Sequence, residues 1–155
     1  MSKVVIKCFE DLQSQIGKEL GVSGYHTITQ EQINKFADAT LDHQWIHVDV
    51  ERAKTESPFK NTIAHGYLTL SLLPYLWDQI IDIQNLKMQV NYGIEKFRFN
   101  QAVLVNSAVR LKASVINVVD LRGITRANIG VVLEIEGSKK PAFEGETVFV
   151  YHFEK

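Results

Sequence analysis

The feature that most constrains the fold is an alternation of apolar and polar residues sustained through the second half of the chain. Val103, Val105, Val109, Leu111, Ala113 and Val115 share one parity, while Asn106, Arg110, Lys112 and Ser114 hold the other. After Asp120 the pattern returns: Ala127, Ile129, Val131, Leu133 and Ile135 alternate with Arg126, Asn128 and Glu134. Successive side chains of a strand point to opposite faces, so this period predicts long antiparallel strands with one covered face. Glu136-Gly137-Ser138 marks a turn. Val90 to Phe99 reads as another strand, with a phase change near Glu95-Lys96 that fits a bulge, and Thr147 to Phe153 as a last one.

The first half has a different texture. Thr29-Gln30-Glu31-Gln32 has the form of a capping box, with Thr29 as N-cap and Gln32 reaching back. Ile33, Phe36, Ala37 and Thr40 then follow helical spacing. Glu51 to Glu56 reads as a short exposed helix before Ser57-Pro58. From Gly66 to about Ile81 apolar residues fall on every side, which predicts a helix buried all round, kinked or ended near Pro74. The expected class is α+β: a buried central helix lying against a long, curled antiparallel sheet. Such a sheet has edges, and symmetric pairing commonly covers them, so a homodimer is expected.

Length and charge narrow the function. The 155 residues are read as one domain, 1–155, large enough for a hydrophobic core. Seventeen Lys and Arg face eighteen Asp and Glu, which speaks against a nucleic-acid partner. Cys8 is the single cysteine, so a reducing compartment is the default. The start lacks the apolar segment of a signal peptide, and the stretch from Tyr67 to Trp77, interrupted by Thr69, Ser71 and Pro74, is too short to span a bilayer. A cytoplasmic protein with no membrane partner is the expectation.

The chemistry is concentrated in Asp42-His43-Gln44-Trp45-Ile46-His47-Val48-Asp49, read as a loop after the first helix, and in Ile63-Ala64-His65-Gly66, which opens the apolar run. Taken alone, each group has a plainer role. Asp49 suits an N-cap, His65 a structural hold on the loop before Gly66, and Trp45 and Ile46 core or pocket wall. His43 and His47, four apart with Asp49 nearby, have metal-ligand spacing but no further ligand cluster, so no metal is expected.

Together with Asn91-Tyr92-Gly93-Ile94-Glu95-Lys96-Phe97-Arg98-Phe99, these motifs resemble those of the MaoC-like dehydratases, the (R)-specific enoyl-CoA hydratases of hot-dog fold. The resemblance covers roughly Tyr25 to Phe153. It implies a helix wrapped by an antiparallel sheet, usually as a dimer. It also implies a catalytic pair at Asp42 and His47, with Gln44 standing where the family commonly has Asn. Gly66 then supplies an oxyanion-hole amide, and Ser71 is the nearest match to a hydroxyl that some members carry in the central helix.

The reaction so implied is reversible addition of water to a 2-enoyl thioester, carried on coenzyme A or acyl carrier protein, to give a 3-hydroxyacyl thioester. Asp42 and His47 would hold and deprotonate the water, a contribution of roughly 10²–10⁴-fold for a positioned acid–base group. A first-turn N–H at Gly66 would receive the negative charge. No cofactor is needed. Lys96 and Arg98 are candidates for the coenzyme A phosphates, and Asn91 and Tyr92 for pocket lining. Two other readings compete: thioester hydrolysis on the same fold, and acyl-thioester binding without catalysis.

Overall fold

The computed structural model describes residues 2–155. In chain order the elements are β1 (Val4–Ile6), α1 (Phe9–Gln13), β2 (Glu19–Val22), β3 (His26–Thr27), α2 (Gln30–Thr40), α3 (Trp45–Val48), α4 (Val50–Glu56), α5 (Gly66–Ser71), α6 (Leu73–Trp77), β4 (Ile81–Ile83), β5 (Leu86–Phe99), β6 (Ala108–Asp120), β7 (Thr125–Ile135) and β8 (Phe143–Phe153). The main sheet runs β2-β6-β7-β8-β5, with β3 also paired to β6, and its pairings are antiparallel. β1 and β4 form a small parallel pair apart from it.

The alternation sets the inner face. Leu111 stands opposite Leu133, Val115 opposite Ile129, and Ala127 opposite Phe149. These residues are buried and share one core with Leu68, Leu72, Leu73, Leu76 and Trp77 of the central helices. Trp77 Nε1 donates to the Tyr151 hydroxyl at 3.0 Å, so the largest core side chain leaves no buried donor unpaired.

The phase change in β5 is a bulge. The register with β8 shifts between Glu95 and Arg98, and Lys96 has φ of 49°. Gly145 lies against this bulge with φ of +157°, where a Cβ would come within 2.6 Å of Phe97 Cα. No other residue fits there without moving the β5 backbone.

The break expected near Pro74 falls at Leu72, so the central helix is two short helices, while Ile81, expected within it, already belongs to β4. Pro74 sits in the first turn of α6, where a missing N–H costs nothing. Nor is the helix buried all round: Tyr67 and Tyr75 are 70% and 55% exposed, because the sheet covers one flank only. The Asp42–Asp49 stretch contains a single helical turn, α3, rather than only loop. The capping box is half formed. Thr29 Oγ1 accepts from the Gln32 N–H at 3.2 Å, but the Gln32 side chain bonds His26 Nε2 at 2.8 Å instead of reaching back. Among the described residues, no helix is long and apolar enough to cross a membrane.

Candidate active site

His47 is held by a segment sixteen residues downstream. The Ile63 N–H donates to the Ile46 carbonyl at 3.1 Å, and the Ile63 carbonyl lies 2.7 Å from His47 Nδ1. A carbonyl only accepts, so Nδ1 carries the proton and Nε2 keeps its lone pair. His47 is buried. That burial is the main influence on its pKa and pushes it below the ordinary value of 6.5, with a further push from His65. The Ile63 carbonyl and Asp42 act in the opposite sense. The imidazole is therefore neutral near pH 7 and fit to take a proton.

His65 is the N-cap residue of α5, and its ring stacks on that of His47 with centroids 3.8 Å apart and planes at 23°. Its Nε2 donates to the Asp42 carbonyl at 3.0 Å and lies 3.9 Å from the Asp42 carboxylate. The same carboxylate faces the Gln44 N–H at 3.4 Å. One side-chain ligand atom from each of Asp42, His47 and His65 lies within 4.8 Å of the others.

Gly66 opens α5, so its N–H has no acceptor within the helix. It lines a cavity of about 340 Å³ together with His47, Thr69, Phe99 and Val103. A Cβ on Gly66 would lie 3.1 Å from two atoms of the Phe99 ring. Glycine thus serves two needs: it lets the ring approach, and it leaves the amide open. Because α5 has only six residues, the local N–H matters here rather than a long helix dipole.

Each ring already donates one N–H to a carbonyl, which leaves His47 one free nitrogen and His65 another. The metal-ligand spacing of His43, His47 and Asp49 dissolves. His43 Nε2 pairs with Asp38 at 2.8 Å, and Asp49 caps α4 by accepting from the Arg52 N–H at 3.0 Å.

Other residues singled out from the sequence lie elsewhere. Gln44 is the exposed N-cap residue of α3, and Trp45 packs under the Arg52 guanidinium at 4.2 Å. Ser71 Oγ donates to the Tyr67 carbonyl and lines a different cavity, shared with Asn91, Tyr92 and Ile94. The hydroxyl beside the cluster is Thr69, whose Oγ1 donates to the Gly66 carbonyl at 2.6 Å. Two residues of helix separate it from Ser71, enough to turn the side chain to another face. Lys96 and Arg98 line a third cavity with Lys112 on the outer face of the sheet, opposite in parity to Phe99. In the sequence Phe99 marks only the end of the third motif and Thr69 only a break in the apolar run, and neither is singled out for the site.

Comparison with known proteins bears on the family and the fold. A family model described as a MaoC like domain matches residues 11–136. The chain is 48% identical over 142 residues to 3-hydroxyacyl-thioester dehydratase Z of Mycobacterium tuberculosis, covering 91% of this chain and 93% of that one. Among solved structures, a protein titled monoamine oxidase regulatory protein from Archaeoglobus fulgius superposes with a TM-score of 0.79 at 21% identity, over the whole of both chains. The R-hydratase PhaJ1 from Pseudomonas aeruginosa gives 0.73 at 20% identity, over 95% of this chain and 86% of that one. The architecture is the α+β hot-dog arrangement expected from the sequence, and the chain belongs to the MaoC-like domain family.

Proposed function

We propose that this protein is a hydro-lyase that interconverts 2-enoyl and 3-hydroxyacyl thioesters, with Asp42 and His47 as its acid–base pair and the Gly66 N–H as an oxyanion donor. The observation that carries the reading is that neutral His47, its Nδ1 engaged by Ile63, lines the same cavity as the free Gly66 amide. The 48% identity to a 3-hydroxyacyl-thioester dehydratase supports the reaction class.

In the hydration direction, water bound between Asp42 and His47 attacks C3. Its proton passes to His47 Nε2 as the C3–O bond forms. The electron pair of the double bond moves toward the thioester oxygen, where the Gly66 N–H receives the charge. The proton held at His47 Nε2 is then delivered to C2, which restores the neutral imidazole, and the thioester bond stays intact throughout. One oxyanion donor of this kind is worth about 3–4 kcal/mol. Nothing in these steps calls for a cofactor. The acyl group is carried on coenzyme A or acyl carrier protein, and the (R) product follows by analogy with the family.

The active form in this reading is a homodimer of one-domain chains. β5 pairs with β8 on one side only and is the edge of the main sheet. Met88, Val90, Tyr92 and Ile94 along it are exposed. A fourteen-residue edge of this kind is a template for a second copy of itself. The cytoplasm, where the Cys8 thiol stays reduced, is its compartment.

The test is incubation with enoyl-CoA substrates of several chain lengths, following loss of the conjugated absorbance and assaying free thiol. Loss of absorbance without thiol release supports hydration. Thiol release would replace this reading with hydrolysis, and binding without turnover would replace it with a non-catalytic role.

A further inference from the structure

The backbone carbonyl of His47 is gripped by a side chain outside the motifs read as carrying the chemistry. Gln30, the first residue of α2, donates from Nε2 to the His47 carbonyl at 2.8 Å and to Asn34 Oδ1 at 2.9 Å. Its Oε1 accepts from the Thr62 hydroxyl at 2.5 Å. Thr62 is 1% exposed. The amide orientation follows from the partners: the His47 carbonyl can only accept, so the nitrogen must face it, and the oxygen must then face Thr62. Both N–H groups and the carbonyl of one side chain are engaged.

The position of this clamp is what gives it meaning. Thr62 directly precedes Ile63, whose carbonyl orients the His47 ring and whose N–H takes the Ile46 carbonyl. The Thr62 carbonyl in turn accepts from Val105 at 3.0 Å. His47 is thus fixed twice from one two-residue segment: through its ring by Ile63, and through its main chain by Thr62 acting across Gln30. α3 has only four residues and no side-chain cap of its own, so it has little internal stiffness to hold the ring without help.

We propose that Gln30 and Thr62 form a positioning clamp that sets the register of α3, and hence the aim of His47 Nε2. The proposal deepens the hydratase reading of the same site. Loss of the Gln30 donor lets α3 shift, so that the Ile63 carbonyl no longer holds Nδ1. A displacement of about 1 Å at a catalytic group can cost on the order of 10²-fold in rate.

The experiment uses the full-length protein and the variants Gln30→Glu, Gln30→Met, Thr62→Val and Thr62→Ser. Gln30→Glu keeps the shape and the acceptor for Thr62 but cannot donate to the His47 carbonyl, and Gln30→Met removes both. For these two, kcat on an enoyl-CoA is expected to fall about 10–100-fold with KM changed by less than about threefold. Thr62→Val is expected to fall in the same direction, and Thr62→Ser, which retains the hydroxyl, to restore kcat to near wild type. Nitrogen-15 NMR of the imidazole rings gives a readout independent of any substrate. Wild type is expected to show His47 as the Nδ1–H form alone, and Gln30→Met to show a mixture of the two neutral forms. If wild type fails to hydrate any enoyl thioester, the function is wrong, while the NMR comparison still decides the clamp. Variants that lose thermal stability but keep both wild-type kcat and a single His47 form would overturn it.

Discussion

The imidazoles of His47 and His65 lie face to face, 3.8 Å between centroids, yet they are wired to different parts of the chain. His47 donates to Ile63, and His65 donates to Asp42. The stack therefore ties α3, the loop that carries Asp42 and the start of α5 into one unit. Two protonated rings at this distance would repel, which joins burial in keeping His47 neutral.

A pH dependence follows with a definite sign. The folded state holds His47 below its ordinary 6.5. As pH falls through about 6.5, the unfolded chain takes up that proton first, so this contribution to stability is present above 6.5 and is lost on acidification until the folded ring protonates too. kcat/KM is expected to fall on acidification with a midpoint below 6.5, because the base works as the free imidazole. Measuring kcat/KM and chemical denaturation between pH 5 and 8 checks both. An acid limb centred above pH 7 would contradict the assignment.

Gly66 and Phe99 should be energetically coupled. Gly66→Ala drives a methyl to 3.1 Å from the Phe99 ring, and Phe99 must shift to relieve it. Overpacking of this kind costs about 1–3 kcal/mol. Phe99→Ala in the same chain is expected to recover part of the loss, giving a non-additive double-mutant cycle. Simple additivity in thermal or denaturant unfolding would show that the close approach is not felt.

Thr69 and Ser71 separate the two cavities. Thr69→Val removes the side-chain donor to the part-buried Gly66 carbonyl, at a cost of about 0.5–1.5 kcal/mol, and is expected to lower activity. Ser71→Ala, on an exposed face, is expected to change stability by less than about 0.5 kcal/mol. Activity and unfolding measured on both variants decide which hydroxyl serves the site.

These hydroxyls also show how far the sequence could be read. Period two marked β6 and β7, because one covered face leaves alternating residues, and the bulge in β5 was visible as a broken phase at Glu95-Lys96. That Asp42, His47 and Gly66 would lie close together was legible from the resemblance of their motifs, in order, to those of the family. The break near Pro74 was anticipated, but its place at Leu72 was not, since a run of leucines does not show where one helix ends and the next begins. The exposure of Tyr67 and Tyr75 was hidden for a related reason: apolar composition tells that a face avoids water, but not which neighbour covers it. Gln30 was legible only as part of the capping box, because its contact with His47 arises from partners 17 and 32 residues away.

The exposed β5 edge yields a prediction about assembly. Wild type is expected to sediment as a dimer, and the combined change Val90→Lys with Tyr92→Asp, at two exposed edge positions, to shift it toward monomer with secondary structure retained. Analytical ultracentrifugation and circular dichroism provide the check. A monomeric wild type at micromolar concentration would remove β5 as the interface.

The most direct test of the central claim is the hydration rate of an enoyl-CoA with wild type, Asp42→Asn and His47→Gln, alongside unfolding curves. The account predicts turnover by wild type without thiol release, and a loss of about 10²–10⁴-fold in kcat for each variant while the fold persists. Full activity in either variant would contradict it.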